Sequence, residues 1–113
     1  MNPRGEAAEA LAATFVESRG LRIVARNYRC RHGELDLVAR DGDTLVFIEV
    51  RRRSGNAFGG AAASINAAKR EKLLKTAHHY LAGLAAAPAC RFDAVLLSGE
   101  PPRIDWLLNV IEE

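Results

Sequence analysis

Cysteine, tryptophan and long apolar runs are scarce in this chain. Its two cysteines, Cys30 and Cys90, lie far apart and form no Cys-x-x-Cys. That excludes a zinc cluster and a disulfide framework, and leaves two buried or inert thiols in a reducing compartment. The longest apolar run, Tyr80 to Ala87, falls far short of the roughly 20 residues a bilayer span needs. At the N-terminus Glu6, Glu9 and Glu17 divide the one apolar candidate, so no signal peptide is read and a cytoplasmic protein is expected. Excess charge of one sign is lacking too: 16 Lys and Arg against 14 Asp and Glu give a formal +2. That is too little to indicate nucleic acid without regard to where the charges sit. Other chemistries fall away on spacing. The glycines from 55 to 60 have no Gly-Lys-Ser/Thr ending, and Ser54 and Ser64 have no His/Asp companion. His78 and His79 are adjacent rather than i, i+4, so no zinc-protease pair is present.

What is present suffices for a core. Leu, Ile, Val and Phe make up 29 of 113 residues, and the length fits one domain spanning 1–113. Asn2 and Pro3 read as a helix start, with Ala8, Leu11, Ala12, Phe15 and Val16 on one face and Gly20 as the stop. Leu21 to Tyr28, Glu34 to Ala39 and Thr44 to Val50 read as strands, the last two joined through Asp41-Gly42, which predicts an antiparallel meander. Ser54 to Gly60 is a glycine-dense loop directly after the most charged strand end. Ile65 to Leu84 forms a second amphipathic helix with Lys69, Arg70, Lys72 and Lys75 on its basic side, and Pro88 closes it. Arg91 to Leu97 is a continuous apolar strand, hence a central one. Ile104 to Leu107 reads equally as a fifth strand or a helical turn. Tyr80 fits the helix core and Trp106 a packing anchor.

One carboxylate is out of place. Glu49 sits inside Leu-Val-Phe-Ile-Glu-Val, where an ionised group costs several kcal/mol unless paired or metal-bound. Alternation puts Glu34 and Asp36 on one face of their strand, with Leu35, Leu37 and Ala39 on the other. It puts Glu49 and Arg51 with Leu45 and Phe47. A two-residue loop sets Asp36 opposite Phe47, and a four-residue loop sets it opposite Glu49. Either way the two acids are about 5 to 8 Å apart at Cβ. Such a pair is a ligand set for magnesium or manganese, or else one half of an ion pair with Arg51 or another arginine.

The pattern Gly5-x-x-x-Glu9-x-x-Ala12, Gly20-Leu21, Arg26-Asn27, Gly33-Glu34-Leu35-Asp36-Leu37, Leu45 to Arg51, Phe58-Gly59, Lys69 and Arg91-Phe92-Asp93 resembles the YraN-like family of small bacterial proteins. That family is similar to the PD-(D/E)xK nucleases and, among them, the archaeal Holliday junction resolvases. The resemblance implies an α/β restriction-endonuclease-like core with a central mixed sheet of four to five strands flanked by helices. It implies Asp36 and Glu49 as magnesium (or manganese) ligands, Glu9 as an added acidic residue, and Arg51 in the place of the motif lysine. Arginine can stabilise transition-state charge but cannot act as a base. Glu34 reads either as a group that positions a water beside the metal or as a solvated charge. Arg19, Arg22, Arg26, Arg29 and Arg31 come without an acid between them, and Arg52, Arg53 and Lys69 flank the acidic strand, a placement suited to phosphates. The reading is a metal-dependent DNA endonuclease, with branched DNA as the substrate and a homodimer as the state that the resolvase likeness implies. The alternative is a nucleic-acid-binding protein that keeps the fold without the chemistry. A third reading is a partner-binding scaffold.

Overall fold

A computed structural model describes residues 3–53 and 66–111, the side chains of 3–5 and 53 excepted. The helices are α1 (Pro3–Ser18) and α2 (Ala67–Ala82). The strands are β1 (Arg22–Cys30), β2 (Gly33–Asp41), β3 (Thr44–Arg53), β4 (Cys90–Ser98) and β5 (Arg103–Leu107). They form one five-stranded sheet in the order β1-β2-β3-β4-β5. The β1–β2–β3 meander is antiparallel as expected, β4 runs parallel to β3, and β5 pairs antiparallel with β4. A mixed sheet with two helices is an α/β architecture consistent with the restriction-endonuclease-like fold. Of the two readings open for the last segment, the strand holds: Arg103–Leu107 is β5 and not a helical turn.

Each helix covers one face. Ala8, Ala12, Ala13 and Val16 of α1 pack with Leu37, Ala39, Val46, Ile48, Val95 and Leu97. Leu73 and Ala77 of α2 pack with Leu35, Val38, Leu45, Phe47 and Phe92. The buried stripe of α1 is rotated from the expected one: Ala13 is inside and Leu11 is 41% exposed. Small side chains there let the helix backbone lie close to the sheet. The strand faces hold for β3 but not for β2, because Leu35 joins the α2 side while Leu37 and Ala39 take the α1 side. Leu35 pairs with Tyr28 next to Asn27, whose φ of +53° breaks the pleat of β1 and turns the end of the hairpin.

Three further expectations shift. The β2–β3 turn is Gly42-Asp43, with Asp41 paired to Thr44 and Gly42 at φ +61°. A two-residue turn at this place, and not a four-residue one, carries Asp36 opposite Glu49, one step beyond the Leu37–Ile48 pair. Helix α2 begins at the Asn66 cap, whose side chain accepts from Lys69 N–H at 2.9 Å, and ends at Gly83, so Pro88 lies beyond it. Cys30 is half-buried and Cys90 exposed, so neither is a core thiol. The expected features at Asn2, at Ser54 to Gly60 and at Ile65 lie outside the described residues.

β4 is an interior strand as expected, buried from Phe92 to Leu97. Asp93 on it is 1% exposed. Its carboxylate accepts from Arg91 Nε at 3.1 Å, Trp106 Nε1 at 3.0 Å and the Asn109 backbone N–H at 2.8 Å. Arg91 continues to Asp41 at 2.9 Å, and Trp106 meets Phe15 edge-on. The chemistry of this carboxylate is structural: it ties β5 and the C-terminal segment to the sheet. Asp93→Ala takes the shared acceptor from three part-buried donors, and urea denaturation is expected to show a loss of about 3–5 kcal/mol.

Candidate metal centre

The displaced end of the β1–β2 hairpin is where the acids meet. Glu9 comes from α1, Glu34 and Asp36 from β2, and one carboxylate oxygen of each lies within 4.8 Å of the other two. Asn27 completes this side. With its amide nitrogen facing the acids, it donates to Glu9 Oε1 at 2.7 Å and to Glu34 Oε1 at 3.1 Å. Asparagine tolerates the left-handed backbone that this position adopts, so one residue both bends the strand and clamps two carboxylates. The sequence carries a signal for it only in the Arg26-Asn27 pair, which assigns the asparagine no role.

Glu49 lies on the other side of Asp36. Lys69 Nζ from α2 is 3.0 Å from Glu49 Oε1, and Arg51 Nε is 3.7 Å from the same oxygen. Arg51 Nε is buried and, at that distance, has no hydrogen-bond partner among the described residues. Helical spacing puts Lys69 on a basic, solvated face; it is instead half-buried and turned toward the acids. Gly33, Glu34, Asp36, Glu49, Lys69, Lys72, Leu73 and Thr76 line an open groove of about 220 Å³.

The balance of charge is uneven across the cluster. Glu34 pairs with Arg29 at 3.3 Å and Glu49 with Lys69 and Arg51. Asp36 accepts a neutral donor, the Val50 N–H, at 2.8 Å. Burial first, then the charge of Glu49, pushes the Asp36 carboxyl up to about 7, with Glu9 and Glu34 adding and the Val50 N–H opposing. Burial and then Glu34 also raise Glu9, against the hydrogen bonds of Asn27 and Asp36.

Of the remaining expected site residues, Arg26 and Arg52 are not brought here. Arg26 is exposed on β1, across from Leu37. Arg52 alternates onto the α1 face and pairs with Glu100 at 3.5 Å. The Arg53 side chain lies outside the described residues. His32, His78 and His79 stand apart from the acids, in a groove of their own.

The sequence model described as "Uncharacterised protein family UPF0102" matches residues 8–97. A UPF0102 protein of Nitrosomonas europaea is 52% identical, over 97% of this chain and 94% of its own length. One of Methylobacillus flagellatus is 56% identical over 95% of each, and one of Cupriavidus necator 54% identical over 97% of this chain and 83% of its own. No helix among the described residues is long and apolar enough to cross a membrane.

The raised Asp36 value fixes a pH dependence. Between its unfolded value of 3.8 and about 7 the folded chain holds a proton that the unfolded chain has released, so stability falls as pH rises through that window. In chelator, Asp36→Asn is therefore expected to raise the thermal midpoint by at least ~4 °C near about pH 8, and by nothing near about pH 4. Thermal scans across that range check it; a variant less stable than wild type at the high end would refute the assignment.

Proposed function

The chain belongs to the UPF0102 family, and on that premise we propose that it is a metal-dependent phosphodiesterase of the PD-(D/E)xK type acting on DNA. One observation carries the proposal. Three carboxylates, those of Glu9, Glu34 and Asp36, each bring an oxygen within 4.8 Å of the other two, and burial, then the charge of Glu49, pushes the Asp36 carboxyl up to about 7. Hard oxygen donors of this kind fit magnesium or manganese, which bind through a few carboxylates and keep waters on their other positions. Asp36 would hold the ion, together with Glu9 and Glu34 on one side and Glu49 on the other. The ion would supply Lewis-acid stabilisation of the phosphate and a water of lowered pKa.

The chain's own residues account for the rest. Lys69 orients Glu49 and brings an ammonium to the groove wall, which offsets the absence of lysine at position 51. Arg51, paired with Glu49 at 3.7 Å, brings a guanidinium beside the acids, and its charge would offset the negative charge that develops on the phosphate in the transition state. Asn27 keeps Glu9 and Glu34 together, so that the donor set exists before any ligand arrives. Branched junctions are the substrate geometry that the resolvase likeness favours, and paired cuts on them call for a homodimer.

The test is incubation with four-way-junction, flap, single-stranded and duplex DNA in magnesium or manganese. Asp36→Ala and Glu49→Ala are each expected to lose cleavage by at least about 100-fold while binding is kept or tightened. Unchanged cleavage in either variant would refute the site. The arginine at position 51 favours a second reading, a DNA-binding protein without chemistry. That reading expects salt-dependent binding, no cleavage by wild type, and none on Arg51→Lys.

A further inference from the structure

Beside the carboxylate groove, on the β1–β2 turn and the same helix, His32, Leu74, Lys75, His78 and His79 line an open groove of about 590 Å³. Its imidazoles are placed by specific contacts. The Tyr28 hydroxyl hydrogen-bonds His79 Nδ1, and Tyr28 packs edge-on against Tyr80 of the core. The His32 ring centre is 6.3 Å from that of His79, and Arg31 Nε donates to His32 Nε2 at 3.4 Å. Lys75 stands at the rim, paired with Glu71 at 3.1 Å.

This groove is unsuited to a metal ion. His78 and His79 are consecutive in a helix and diverge by about 100°. His79 Nδ1 and His32 Nε2 are both engaged, and the one three-residue grouping of ligand atoms among the described residues is Glu9–Glu34–Asp36. Three imidazoles and an ammonium with no carboxylate in the lining form instead a donor surface for an anion.

The two grooves are neighbours along the β1–β2 turn and α2. Gly33 follows His32 directly and lies so close to α2 that a Cβ there would be 3.1 Å from Thr76 Oγ1. Lys72 and Thr76 line the carboxylate groove, while Lys75 and His79, one helical turn or less away, line the other. A ligand long enough to span Gly33 would touch both. An ion-binding acid cluster next to a bed of cationic and N–H donors suits a polyanion with one phosphate at the acids and others beyond it.

We infer that the His32–Lys75–His79 groove binds the phosphodiester backbone of a nucleic-acid strand whose reacting phosphate lies at Asp36. This rests on the proposed function and adds the direction in which the substrate leaves the site: over Gly33 and along α2.

The test is fluorescence anisotropy of the full chain with labelled single-stranded and branched DNA, in chelator so that cleavage plays no part, over a range of salt concentrations. The double variant His32→Ala/Lys75→Ala is expected to bind about 10-fold more weakly, with a salt slope shallower by about one. Lys75→Glu, on the exposed helix surface, is expected to weaken binding at least as much and guards against a folding defect in the double variant. Affinity and slope equal to wild type in both variants, with wild type binding, would overturn the groove assignment alone. Wild type that binds no nucleic acid would overturn it together with the proposed function. Displacement of the DNA by dilute inorganic phosphate at constant ionic strength would mark a site for the free anion and overturn the strand assignment.

Discussion

The arrangement turns on a single unfavourable placement: the Asp36 carboxylate lies between Glu9, Glu34 and Glu49, and a backbone N–H is what answers it. Like charges this close cannot all stay ionised in a partly dry setting without a cation, so the carboxyl is driven toward neutrality. A structure optimised for stability alone would put an apolar or amide side chain there. The folded chain therefore carries an electrostatic strain that a divalent ion would relieve, and the rest of the fold keeps that strain in place.

Three elements impose it. The β2–β3 hairpin register sets Asp36 across from Glu49, and the interior position of β3, between β2 and β4, makes that register hard to slip. Helix α1 contacts the sheet through alanines and Val16, close enough to bring Glu9 against the end of β2. The left-handed residue Asn27 bends β1 at that point and clamps Glu9 to Glu34. From the opposite face, α2 brings Lys69 to Glu49. The site thus forms where both helical layers reach the same hairpin end, and the Asp93 ties on β4 and β5 hold the far side of the sheet together.

Much of this is legible in residue order. Alternation around Glu49 assigns its face as the structure has it, because β3 is regular and covered on both sides. The meander and the central position of Phe92 to Leu97 follow from turn chemistry and a continuous apolar run. What is not legible depends on contacts between distant segments. The change of face at Leu35 follows from the backbone of Asn27, which no alternation rule registers. Lys69 looks like one charge on a solvated helix face, since its ion pair needs the three-dimensional approach of α2 to β3. The order of residues leaves Glu34 open between a group that positions a water and a solvated end charge, and only the approach of Glu9 from α1 makes it part of a triple. Arg52 shows the converse, since closeness in sequence to Glu49 suggests a shared site and alternation puts it on the other face.

Whether this strained cluster is a cation site is decided most directly by anomalous diffraction from crystals of the full chain soaked in manganese. A peak bonded to Asp36 and to at least one of Glu9, Glu34 and Glu49 is the expected result. Crystals that show no peak at these carboxylates, with the ion absent or held elsewhere, would contradict it.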